Sequence, residues 1–94
     1  MVLSTISINK ISHDEYRVNI SSSSSTSHIV TITDKDLQKL SGNSVSKEEL
    51  IEFSFKFLLE RESNTSIMQS FDLPIISNYF PEYANKVKDF SDNI

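Results

Sequence analysis

Val30-Thr31-Ile32-Thr33-Asp34-Lys35-Asp36-Leu37-Gln38-Lys39-Leu40 contains the change of hydrophobic period on which the fold turns. Up to Thr33, apolar and polar residues alternate, which puts one face of an extended chain into a core and the other into water. Leu37 and Leu40 are three apart and share one face of a helix. Thr33 or Asp34 suits the N-cap, because its side-chain oxygen can accept from a free backbone N–H of the first turn. Gly42, the only glycine in the chain, stands where a helix end needs a left-handed residue.

Upstream, the alternation repeats. Ile6 and Ile8 alternate with Ser7 and Asn9, and Tyr16, Val18 and Ile20 with Arg17 and Asn19. Ser12-His13-Asp14-Glu15 reads as the turn between these strands. Ser21 to Ser27 is all serine except Thr26. With nothing apolar to pack, it reads as a seven-residue mobile loop. Residues 1–33 therefore predict three meandering strands.

Downstream, Ser46 and Glu49 have the S-x-x-E spacing of a capping box, flanked by Val45 and Leu50 in the positions of a hydrophobic staple. The helix is expected from Lys47 to about Glu62. Leu50, Phe53, Phe57 and Leu58 form its stripe, and Ile51, Phe55 and Leu59 widen it. Seven large apolar residues in ten positions exceed what a one-sided surface helix needs. The helix is then either the central core helix or part of an interface. A helical turn is expected from Ser66 to Phe71. Asp72 with Pro74 then starts a helix carrying Leu73, Ile76, Tyr79 and Phe80. Pro81 breaks it or opens a last helix with Tyr83, Val87 and Phe90 on one side. Residues 34–90 form the helical part, and residues 91–94 are expected to fray. The expected fold is α+β: one domain over residues 1–94, a three-stranded antiparallel β-meander followed by a helical C-terminal half packed on one face.

The totals narrow the function. Ninety-four residues suffice for one domain with a small core. A net charge of −4, with no two basic residues adjacent, argues against phosphate-driven nucleic-acid binding. The chain has no cysteine, which removes disulfides and thiolate metal sites and fits the cytoplasm. Met1-Val2-Leu3-Ser4-Thr5 lacks the basic start and apolar run of a leader. No apolar stretch is long enough for a membrane.

Phe53-Ser54-Phe55-Lys56-Phe57-Leu58-Leu59-Glu60-Arg61-Glu62, then Ser66-Ile67, Phe71-Asp72-Leu73, Ile76 and Tyr79-Phe80-Pro81-Glu82-Tyr83, resemble a group of small prokaryotic proteins. The FLLERE and YFPEY strings carry the resemblance, which covers about a third of the chain closely. The group has no assigned activity, cofactor or catalytic residue, so the resemblance implies a class and no mechanism.

No chemistry announces itself. His13 and His28 are the only histidines. His13 has Asp14 and Glu15 nearby, but no spacing supplies the three or four ligands of a metal site. The serines lack a nucleophile elbow. One glycine excludes the phosphate-cradling loops. Asp34, Glu48 and Glu49 sit at helix starts, where the dipole favours negative charge. Arg61 falls in line with Leu50, Ser54 and Phe57, a position for a half-buried arginine paired to a carboxylate. No catalytic residue, cofactor or metal is therefore expected.

Two functional readings follow. The first is a small non-enzymatic protein–protein interaction or accessory module, binding a protein partner or itself. Its candidate partner-binding residues are Tyr79, Phe80 and Tyr83, then Arg61, since Tyr and Phe are enriched at interfaces. The second is a ribbon-helix-helix DNA-binding dimer. There, the strand His28 to Thr33 would pair with a second copy and present His28, Thr31 and Thr33 to the bases.

Overall fold

In the computed structural model, which describes residues 5–42 and 44–92, the N-terminal third forms a regular meander. Strands β1 (Thr5–Lys10), β2 (Glu15–Ser21) and β3 (Ser25–Thr31) pair antiparallel in order. Ile6 and Ile8 lie opposite Ile20 and Val18, and His28 and Val30 lie opposite Val18 and Tyr16. These even-numbered residues share one face, the face the helices cover. The opposite face carries Ser7, Asn9, Arg17, Asn19 and Ser27, and it is polar apart from the half-buried Ile29.

The serine segment is not a seven-residue loop. Pairing continues through Asn19↔Ser27, Ile20↔Thr26 and Ser21↔Ser25, leaving only residues 22–24 as the turn. A distant side chain secures it. Asn64 Nδ2 donates to the Ser24 carbonyl at 2.9 Å and to Thr26 Oγ1 at 3.0 Å. Composition gave no sign of this, because the bonds come from forty residues away.

Helix α1 (Asp34–Ser41) starts on Thr33, whose Oγ1 accepts from Asp36 N at 3.0 Å while Asp36 Oδ2 accepts from Thr33 N at 3.1 Å. It ends on Gly42, left-handed at φ 64°. Helix α2 (Lys47–Leu59) has the capping box of Ser46 and Glu49. It stops three residues short of expectation, and Arg61 is the reason. In a longer helix Arg61 N would donate to Phe57 O. Instead Arg61 N turns to Leu58 O at 2.9 Å, and the Arg61 guanidinium takes the Phe57 carbonyl at 3.0 Å.

Beyond α2 lie a 3₁₀ turn (Asn64–Ser66), strand β4 (Ser70–Asp72), a second 3₁₀ turn (Leu73–Ile75), the single-turn α3 (Ile76–Tyr79) and α4 (Tyr83–Asp92). Strand β4 corrects both the expected three-stranded sheet and the expected helical turn over Ser66 to Phe71. It pairs parallel with β3, through Ile29↔Ser70, Val30↔Phe71 and Thr31↔Asp72. The segment is pulled extended by β3. Ile29 N donates to Gln69 O at 2.7 Å, and His28 Nδ1 lies 2.7 Å from Met68 O. Asp72 has the extended backbone of a cap but makes no side-chain cap bond. Phe80 is also extended, as the residue before a proline must be, and this separates α3 from α4. Ser91 and Asp92 belong to α4, with Ser91 buried, so the expected frayed tail does not begin there. Its last two residues, and the first four residues of the chain, lie outside the described residues.

Helix α2 is the central helix and has two buried sides. Phe55 meets His28 and Phe71 on the sheet side, with ring centroids 5.6 and 5.9 Å away. Phe53 stacks on Phe90 at 4.5 Å, and Phe57 meets Tyr83 edge-on at 5.3 Å, both on α4. The apolar excess on α2 is thus covered largely within the chain.

The strand proposed to read DNA is not free to do so. β3 lies between β2 and β4, and His28 is buried. A ribbon-helix-helix dimer needs that strand at an open edge. No helix among the described residues is long and apolar enough to cross a membrane.

Candidate functional site

The described residues contain three large apolar side chains that are well exposed: Ile11, Met68 and Tyr79. Two of them border the same cleft. It runs between the end of α2 (Leu58, Glu62), the segment Ser66 to Met68, Phe71 on β4, and Ile76, Tyr79 and Phe80 on and after α3, with a volume of about 300 Å³. Its floor is apolar. Ile67, Phe71 and Ile76 are buried in it, while Tyr79 is 62% and Met68 39% exposed at its rim.

Local structure explains the rim. Leu73 and Ile76 pin the 3₁₀ turn and α3 to the core. Tyr79 and Phe80 follow Ile76 by three and four positions, so both start on its side. Phe80 turns back and packs edge-on against Phe57 at 5.8 Å. Tyr79 is left over the cleft. The opposite wall is held by a buried hydrogen-bond relay. Asn64 donates to Thr26 Oγ1. His28 Nδ1 faces a carbonyl, the Met68 oxygen, and so must carry the proton, which leaves Nε2 to accept from the Thr26 hydroxyl at 2.9 Å. Both ring nitrogens of His28 and the Nδ2 of Asn64 find partners, as buried polar groups require.

The sequence-predicted residues separate. Tyr79 is exposed and Phe80 half-buried, both on the cleft. Tyr83 is fully buried, which corrects its choice as a partner-binding residue. Its hydroxyl meets Ser54 Oγ. Ser54 donates its single proton to Leu50 O at 2.7 Å, so Tyr83 donates to Ser54. Burial pushes the Tyr83 phenol far above its usual range, against a smaller lowering by Ser54. Arg61 is the half-buried arginine expected. Its guanidinium lies 3.6 Å above the Phe57 ring and its Nε 3.3 Å from Glu82. The backbone N–H of Glu82 itself and then Arg61 lower the Glu82 carboxyl. Arg61 thus closes the corner between α2 and α4 rather than facing the cleft. Met68 was not legible, because nothing local marks a residue that a distant histidine pins at a rim.

A second cluster brings His13, Asp14 and Asp34 within 4.8 Å of one another. Lys47 occupies its centre. The Lys47 ammonium uses its three protons on His13 O at 2.9 Å, Asp14 Oδ1 at 3.1 Å and Asp34 Oδ1 at 2.9 Å. A metal ion would have to displace this cation and meet its charge. Asp34 is held below the usual carboxylate range, first by His13 and then by Lys47. For Lys47, burial lowers the ammonium, and Asp34 and Asp14 together raise it more. The cluster ties the β1–β2 turn to the starts of α1 and α2.

Comparison with protein-family models, characterised proteins and solved structures finds no match for this chain. No activity is therefore suggested by a related protein, and the functional reading rests on the cleft. Its walls carry the polar side chains of Glu62, Ser66 and Tyr79 among apolar ones.

Proposed function

We propose that this chain is a small non-enzymatic interaction module. It binds a protein partner by receiving a bulky apolar side chain of the partner in the cleft beside Tyr79. The convergence of the two exposed apolar side chains, Tyr79 and Met68, on one apolar-floored cleft carries this reading. A cleft of about 300 Å³ accommodates one or two side chains. Aromatic and methionine side chains at a rim are the residues enriched at interfaces. Glu62 at the mouth favours a basic neighbour on the partner segment.

Of the candidate residues read from the sequence, Tyr79 and Phe80 border this cleft. The excess on α2 was the first motive for an interface, and α4 covers much of that excess. The Met68–Tyr79 rim is left uncovered.

The experiment is a titration of the purified partner, recovered by affinity capture, against single variants. Tyr79→Ala and Met68→Ala are expected to weaken binding by about tenfold or more each. Ile11→Ala, equally apolar but in the turn after β1, is expected to leave it unchanged. Equal affinity for all four proteins refutes the cleft as the binding site.

A further inference from the structure

The cleft lies toward the β4 edge of the sheet, and the opposite edge carries a separate signal. β1 is an edge strand, and among the described residues nothing pairs with its outer side. Folded proteins guard such edges with proline, bulges, charge or shortness. β4 is short, only three residues. β1 has six residues in unbroken register with β2, no proline, and no charge before Lys10. Its inward residues Ile6 and Ile8 are only half covered. Beside them runs an open groove of about 510 Å³, lined by Ile6, Phe53, Phe57 and Leu59 of β1 and α2, with Lys56 and Glu60 at its rim.

We infer that this edge pairs with a second copy of the chain. β1 meets the partner's β1 antiparallel about a two-fold axis at Ser7. That register sets Ile6 opposite the partner's Ile8, and Thr5 opposite the partner's Asn9, joining two four-stranded sheets into one of eight. A two-fold axis normal to the sheet keeps the helices on the same face, so the two α2 helices run antiparallel over the seam. The rim charges select a second copy over an unrelated strand. Lys56 stands between Glu52 and Glu60 at intervals of four, and an antiparallel copy brings Lys56 against the partner's Glu60, and Glu60 against the partner's Lys56. Both side chains are exposed, with Lys56 at 65% and Glu60 at 75%. The charges at the rim of the groove are complementary to those of an antiparallel copy. This inference uses a different edge from the proposed partner cleft and stands or falls without it.

The test is sedimentation equilibrium of the whole chain, with folding checked by circular dichroism. Wild type is expected to reach twice the chain mass as concentration rises toward about 1 mM. Ile6→Lys puts a charge at the seam, where its length lets it reach water in the monomer, and is expected to give a folded monomer. Lys56→Glu and Glu60→Lys are each expected to weaken the dimer about three- to tenfold, and the double exchange to restore it. A wild type that stays monomeric throughout overturns the inference. So does a dimer that Ile6→Lys leaves intact, or single exchanges that the double does not rescue.

Discussion

Tyr83 and Tyr79 are four residues apart and mark two sides of the C-terminal corner that were finished differently. On the Tyr83 side, α4 seals α2: Tyr83 meets Phe57, Phe90 stacks on Phe53, and the Tyr83 hydroxyl brought inside is bonded to Ser54. On the Tyr79 side, a single helical turn and a proline-limited Phe80 leave the apolar floor of Phe71 and Ile76 open between exposed rims. Abundance of apolar residues therefore does not locate a binding surface. An apolar helix face that another helix of the same chain covers is structure, and an apolar face left open beside it is a candidate for function.

Substitutions sharpen this contrast, and the largest effect belongs to the sealed side. Tyr83→Ala removes a fully buried ring and is expected to cost about 3–5 kcal/mol in urea unfolding. Tyr83→Phe keeps the ring, loses the hydroxyl bond, and is expected to cost about 1 kcal/mol. The pH dependence has the matching sign. Tyr83 is raised in the folded state, so the fold holds a proton that the unfolded chain loses above about pH 10. Stability should fall as pH rises above that point, and the Tyr83→Phe protein should fall less steeply.

His28→Phe comes next. It keeps a ring beside Phe55 but takes the histidine bond from the Met68 carbonyl and from the Thr26 hydroxyl, which retains only Asn64. The expected cost is about 2–3 kcal/mol, with faster amide exchange through residues 64–72. Unchanged exchange there would show that His28 does not hold the cleft wall.

Lys47→Met leaves two carboxylates facing each other and is expected to cost about 1–2 kcal/mol, reduced by the exposure of Asp34. Asp34 is lowered in the folded state, so its contribution is present above about pH 4 and lost as pH falls through its folded value. Lys47 is raised, so its contribution is full below about pH 10 and lost as pH rises through its folded value. Removing Lys47 should flatten the acid arm of the stability curve. The smallest effect on stability is that of Tyr79→Ala, at about 0.5 kcal/mol or less, for an exposed side chain. A large loss there would mean that Tyr79 is structural and the contrast false.

What the sequence disclosed follows the range of the interactions. The caps of α1 and α2, the left-handed Gly42 and the strand alternation depend on residues within four positions of each other, and all were legible. Arg61 as a half-buried partner of a carboxylate was legible from its place on the α2 stripe. Its effect on the helix end was not, because a guanidinium taking the Phe57 carbonyl is a tertiary choice. Strand β4 and the serine hairpin were misread for one reason. Asn64, His28 and Ile29 supply the bonds that straighten them, across about forty residues of sequence. The Lys47 cluster and the Met68 rim were hidden likewise. Tyr83 was named for its residue type, which does not separate a core aromatic from a surface one.

The most direct test is tyrosine nitration of the folded chain by tetranitromethane, mapped by peptide mass spectrometry. The chain has three tyrosines. Tyr79 should be nitrated first, Tyr16 and Tyr83 only on unfolding, and bound partner should protect Tyr79. Nitration of Tyr83 in the folded protein, or a Tyr79 that the partner leaves equally reactive, would contradict the division between a sealed side and a binding side.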